Sequence, residues 1–206
     1  MKKLLKAAAA VLAMAMVTGC STQTATNTEK KVYKIGITQI QDHPSLDNCR
    51  KGFIEGLKNQ GFIEGKNIEI EFVSAQGDMA MNTQIAQKFA NQGKDLVCGI
   101  ATPSAQALYA SCFDKKIPVI FNAVSDPVEA NLAKSPDETL EGVTGVSDRL
   151  PVEEQLKLIR ALLPDAKKIG ILYTTSEPNS ISTLRNYKEL APKYGFEIVD
   201  KGIAKQ

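Results

Sequence analysis

Apolar positions along the chain switch repeatedly between two periods. Residues 32–40 hold Val32, Tyr33, Ile35, Ile37 and Ile40 in a strand-like pattern, and 46–60 place Phe53, Ile54 and Leu57 at helical spacing before Gly61. Residues 67–74 alternate Ile68, Ile70 and Phe72; 79–91 read as a helix closing at Gly93; 95–101 form a short apolar run. A helix over 104–113 and a strand over 117–124 complete the first series. Strands separated by helices of this length predict βαβ units, hence a parallel sheet with helices on both faces. Residues 141–146, Glu-Gly-Val-Thr-Gly-Val, break the rhythm and suit an extended crossover between lobes. The alternation then restarts. Pro151 is placed as a first helical residue, with Val152, Leu156, Ile159 and Leu163 on one face. A strand over 168–173, a helix over 181–194 and the start of a strand at 196–199 follow. The fold class is therefore α/β: a Rossmann-like parallel-sheet lobe over 32–145 and an incomplete second α/β lobe over 146–206, thin for a doubly wound unit.

The first residues follow a different logic. Lys2, Lys3 and Lys6 precede an apolar run over 7–17 that is too short to span a bilayer. Residues 1–19 read as a signal peptide. Val17-Thr18-Gly19-Cys20 resembles a bacterial lipobox, which predicts a lipid-modified Cys20; the alternative is a plain signal peptide. Residues 20–31 lack apolar periodicity and read as a flexible tether. An exported lipoprotein held at a membrane face follows.

Composition narrows the function. The chain has 206 residues, 43% apolar and 23% charged, which is ordinary for a globular protein. Its formal charge of +2 becomes −1 once the three leader lysines are removed, so no basic face for nucleic acid is expected. Cys49, Cys98 and Cys112 leave an odd count without CxxC spacing; a Cys98–Cys112 bridge stays open. His43 is the only histidine, which argues against a metal cluster. No nucleophile, phosphate-loop or dinucleotide motif occurs, so neither an enzyme nor a cofactor is expected.

Ligands of open parallel sheets collect at the carboxyl ends of the strands. Four such ends are polar here, and their candidate ligand residues are Gln41, His43 and Ser45; Thr102 and Ser104; Ser125 and Asp126; and Ser176, Glu177, Asn179 and Ser180. Each opens a helix with a small polar residue near a proline. Free helix-start amides favour a carboxylate, and Asp126 suits an ammonium group, so the set fits a zwitterion. The same pairs also cap helices where no ligand binds.

The loop sequences carry a resemblance. His43-Pro44-Ser45-Leu46-Asp47, Ala101-Thr102-Pro103-Ser104-Ala105-Gln106-Ala107, Ser125-Asp126-Pro127-Val128 and Gly170-Ile171-Leu172-Tyr173 with Ser176-Glu177-Pro178-Asn179-Ser180 resemble ABC-transporter substrate-binding lipoproteins of the tryptophan/tyrosine type. The resemblance implies a type I periplasmic-binding-protein fold whose two lobes close on an amino-acid-like, commonly aromatic, ligand. It implies that Thr102, Ser104 and Asp126 face Ser176, Glu177, Asn179 and Ser180. It also implies an ABC permease as partner. Two positions depart from the family pattern, Pro178 and Asn122, and the family continues well past Gln206. The competing expectations are a truncated fragment that binds nothing and an extracytoplasmic ligand-sensing module.

Overall fold

The structure, a computed structural model, describes residues 31–204. The signal peptide, Cys20 and nearly all of the tether lie outside the described residues. Nine strands and five helices follow in order: β1 (Tyr33–Gln39), α1 (Pro44–Asn59), β2 (Ile68–Ser74), α2 (Met79–Asn91), β3 (Leu96–Ile100), α3 (Thr102–Cys112), β4 (Val119–Asn122), β5 (Ala133–Ser135), β6 (Glu138–Thr139), β7 (Val143–Val146), α4 (Val152–Leu162), β8 (Lys168–Thr174), α5 (Pro178–Leu190) and β9 (Glu197–Ile203).

Five strands form one wholly parallel sheet in the order β2-β1-β3-β4-β7. Its central strands are buried on both faces, which is why they read as nearly continuous apolar runs. On one face Phe53, Ile54 and Leu57 of α1 cover Ile35, Ile37, Cys98 and Ile100. On the other, Ile85 and Phe89 of α2 and Leu108 of α3 cover Val97, Val119 and Phe121. Chain order reverses between β1 and β3, because β2 lies to one side of β1 and every later strand to the other. The carboxyl ends of these two strands thus form the crevice where ligands of such sheets sit.

Several expectations need correction. The glycine-punctuated segment is no free crossover: residues 143–146 are the edge strand β7, paired with Val119–Asn122. Its short pattern resembles a linker because Gly145 sits against the Phe121 backbone, where a side chain has no room. Pro151 is the N-cap of α4, not its first turn. The helix expected over 181–194 begins at Pro178 and gives way to a 3-10 turn at Ala191–Tyr194, where Pro192 cannot continue the α-helical ladder. The hairpin β5–β6 has only five residues in strands, too few to show a period. A Cys98–Cys112 bridge is excluded by topology. The two residues lie in the cores on opposite faces of the sheet, both as free thiols. Burial pushes the Cys98 thiol up to about 12 and that of Cys112 up to about 11.

The remaining strands, β8 and β9, pair in parallel as a separate two-stranded sheet. Val152 and Leu156 of α4 pack with Ala191 and Phe196 over one face. Leu172 on β8 is 74% exposed, so among the described residues its side of the sheet is left uncovered; Leu162 on α4 is 70% exposed. Arg160 closes this unit. Its guanidinium donates hydrogen bonds to the carbonyls of Pro164 (2.7 Å), Ala166 (2.8 Å), Tyr194 (2.8 Å) and Gly195 (3.1 Å), and it stacks 3.9 Å from the Phe196 ring centroid. One side chain therefore satisfies carbonyls beyond α4 and around the 3-10 turn together. Glu153 makes a second tie: Lys193 lies 2.6 Å away and the Tyr194 hydroxyl donates to the same oxygen.

Two outcomes are expected. Arg160→Met keeps the apolar stem over Phe196 and orphans the carbonyls. It should destabilise the β8–β9 unit by on the order of 2–3 kcal/mol while amide exchange in β1, β3 and β4 stays slow; equal loosening of both sheets contradicts this assignment. The Lys193 ammonium and the Tyr194 hydroxyl hold the Glu153 carboxyl down at about 2, from an ordinary 4.5. Its tie is therefore complete above about pH 4.5 and is lost as pH falls through 2. Exchange protection of residues 191–203 should fall across that window in the wild type and not in Glu153→Gln.

Candidate functional site

Helix α3 starts almost on top of β3. A Cβ placed on Gly99 would lie 2.6 Å from the Ala105 backbone, so only glycine lets the helix return this closely over the strand that feeds it. Between them Ala101 turns the chain at φ 71, ψ 157, a region that glycine visits and alanine avoids. Such a residue stores on the order of 1–3 kcal/mol, which the surroundings must hold in place. The Ala101 N–H donates to the Asn122 carbonyl at 2.9 Å, and its carbonyl accepts from Ala105 N at 3.1 Å.

No side chain caps the first turn of α3. Pro103 removes one of its donors, leaving the Thr102 and Ser104 amides at a positively polarised helix end. Thr102 and Ser104 are both buried. The Ser104 hydroxyl, expected to reach a ligand, donates instead to Asn82 Oδ1 at 3.0 Å, and Asn82 Nδ2 donates to the Pro103 carbonyl at 2.9 Å. Asn82 was not among the expected residues. Its signal in the sequence is a polar residue on the helical face that also carries Ile85, Ala86 and Phe89.

A cleft of about 230 Å³ opens on this turn. It is lined by Ile40, Gln41, His43 and Leu46 after β1, Ala101 and Pro103 after β3, and Glu177 and Asn179 at the start of α5. Asn179 Oδ1 is buried and has no hydrogen-bond partner among the described residues. Four expected residues thus meet at the switch point: Gln41, His43, Glu177 and Asn179. His43 also caps α1, accepting from Ser45 N at 3.2 Å through Nδ1. Below the rim, Gln39 donates to Asp47 at 3.1 Å and Gln76 to Asp42 at 2.8 Å. Hydrogen bonding from Gln76 holds the Asp42 carboxyl below its usual range, and that from Gln39, then Arg50, does the same for Asp47. Both carboxylates stay charged at neutral pH.

Asp126 and Ser125 line a different and larger cavity, about 410 Å³, with Arg149, Glu153, Ser182 and Asn186 among its walls. We assign the smaller cleft as the candidate site because it sits at the switch point and carries the uncapped helix end and the unpartnered amide oxygen. Asp126 is already engaged. Its Oδ1 accepts from the Val128 and Glu129 amides at 3.2 and 3.1 Å, and its Oδ2 accepts from the Ser182 hydroxyl at 2.8 Å. One helical turn on, Arg185 pairs with Glu129 at 2.6 Å. Asp126 therefore ties α5 to the loop after β4. Ser176, which is exposed, and Ser180 line neither cavity, nor do Ser45, Thr102 and Ser104.

If this contact fixes α5 over the cleft, Ser182→Ala should lower the free energy for separating the two sheets by about 1 kcal/mol. The Arg185 pair is half-exposed and should add only ~0–1 kcal/mol, vanishing at high salt. Distance measurements between spin labels on α2 and α5 would report a broader distribution in Ser182→Ala; an unchanged one rejects the tie.

Comparison with known proteins gives the family and the fold. Residues 34–206 match the family of ABC transporter substrate binding proteins. A tyrosine-binding protein of Clostridioides difficile (strain R20291) is 45% identical over 204 residues, covering 95% of this chain and 59% of that protein. An ABC domain from Streptococcus pneumonia, solved in complex with L-Trp, is 39% identical and superposes with a TM-score of 0.79 over 84% of this chain and 58% of that one. A ligand-free, open substrate-binding protein with adhesive properties from Clostridium difficile is 46% identical, with a TM-score of 0.66 over the same shares. The chain spans just under three fifths of the length of these relatives. It superposes more closely on the L-Trp complex than on the open structure, although its sequence is nearer to the latter. On the extent of the sequence match and the shared fold, the chain belongs to the ABC transporter substrate-binding proteins, a family that binds solutes rather than transforming them.

Proposed function

We propose that this chain captures an aromatic amino acid, tyrosine or tryptophan, in the cleft between the ends of β1 and β3 and the start of α5. The observation that carries the reading is the pairing of an uncapped helix end with an unpartnered, buried amide oxygen across one small cleft. The Thr102 and Ser104 amides would take the carboxylate, and Asn179 Oδ1 would accept from the ammonium group. Gln41 and His43 form the wall beside it. Asp126 acts in this reading by holding α5 over the ligand, while Ser125, Ser176 and Ser180 stand outside this cleft. The tyrosine-binding and L-Trp-bound relatives support the choice of ligand class.

A lipid-modified Cys20 would tether the protein at the outer face of the membrane, where it passes the amino acid to an ABC permease. Among the described residues no helix is long and apolar enough to cross a membrane. The exposed Leu162 and Leu172 favour a second reading, a chain whose β8–β9 unit is too open to close firmly on a ligand.

Calorimetric titration with L-tyrosine and L-tryptophan separates the two. Saturable binding that Asn179→Ala weakens by about 1.5–3 kcal/mol, the loss of a charge-assisted hydrogen bond, supports capture. No binding of either amino acid by a chain whose five-stranded sheet keeps its exchange protection supports the second reading and rejects the first.

A further inference from the structure

A buried polar residue of α2 holds the first turn of α3. Asn82 is 1% exposed on a helical face otherwise made of Ile85, Ala86 and Phe89. A buried amide among such neighbours is unfavourable unless both of its ends are bonded. Both ends go to the same place: Nδ2 to the Pro103 carbonyl at 2.9 Å and Oδ1 to the Ser104 hydroxyl at 3.0 Å. These residues flank the peptide that presents the Ser104 amide. Immediately before them stands Ala101, in a backbone region that alanine avoids. A strained turn persists only where its surroundings over-determine it. Here the restraints are the Asn122 carbonyl on the Ala101 amide, the close packing of Gly99 on Ala105, and Asn82 from below.

We propose that Asn82 is a positioning residue for ligand binding: it clamps the first turn of α3 so that the Thr102 and Ser104 amides are held toward the carboxylate before the ligand arrives. The inference rests on the reading of that turn as the carboxylate site. Asn82 itself touches no ligand. Its effect is preorganisation, which lowers the ordering cost of binding for whatever those amides hold and for nothing else.

The last point supplies the test. Asn82→Ala and Ala101→Gly in the full chain are titrated with L-tryptophan and with tryptamine, which keeps the ring and the ammonium group but lacks the carboxylate. Asn82→Ala should weaken L-tryptophan at least tenfold and tryptamine by less than twofold, collapsing the preference of the wild type. Ala101→Gly fits the turn without strain, so it should fold at least as stably and still lose several-fold for L-tryptophan alone. Equal losses for both ligands would mean that Asn82 only supports the fold, and unchanged L-tryptophan affinity in a folded Asn82→Ala variant would overturn the proposal. Amide exchange is measured on the same proteins without ligand. Asn82→Ala should speed exchange at Ala105, whose amide is bonded to the Ala101 carbonyl, tenfold or more while β3 stays protected; no change there overturns the clamp. Should the wild type bind neither ligand, the carboxylate reading fails, and this exchange result still decides the clamp.

Discussion

Helix α3 begins two residues after β3 ends, and the chain makes that reversal under constraint. Gly99 must lack a side chain for the helix to lie against the strand, and Ala101 must hold a backbone conformation that alanine disfavours. Everything at the candidate site follows from this reversal. It brings an uncapped helix end to the switch point of a parallel sheet, where the ends of β1 and β3 leave a crevice. It also buries Thr102 and Ser104 beneath Ala101 and Pro103, which line the cleft. The strain is tolerable because the sheet around it is buried on both faces and its packing holds the turn in place.

The second unit contributes differently. The β8–β9 sheet has one covered face and depends on a few directional ties, above all the carbonyl fan on Arg160 and the Glu153 contacts. Helix α5 links this unit to the first. Its start carries Asn179 into the cleft, and its next turn fixes it through Ser182 and Arg185 to the loop after β4. A rigid half that presents fixed amides and a looser half that brings the opposing group is a workable division for a binding protein. In the proposed reading the half buried on both faces would carry the preorganisation, and the half covered on one face would bring up the opposing group.

Much of this was legible in the sequence, for physical reasons. Parallel strands buried on two faces must be apolar throughout, so 32–40, 95–101 and 117–124 announce themselves, and the intervening helices keep one apolar face each. The loops at the strand ends show as Pro and small polar clusters, which led to Gln41, His43, Glu177 and Asn179. What pattern does not record is direction. Ser104 and Asp126 are polar residues at strand ends as expected, yet one hydroxyl turns inward to Asn82 and one carboxylate spends both oxygens on amides and on Ser182. Short elements escape as well. β7 is four residues with a glycine inside, and its identity as an edge strand comes from pairing with β4 rather than from its own period. The strain at Ala101 leaves no trace in composition at all.

The central claim is that one end of an amino acid sits on the first turn of α3 and the other against Asn179. Amide and side-chain NMR of the isotopically labelled full chain, followed during titration with L-tryptophan, tests it most directly. The account predicts that the largest shifts fall on the Thr102 and Ser104 amides and on the Asn179 side-chain amide, with smaller ones at Gln41 and His43 and none on the outer face of β8–β9. Shifts centred instead on Asp126, Arg149 and Asn186 would place the ligand in the larger cavity and contradict the account.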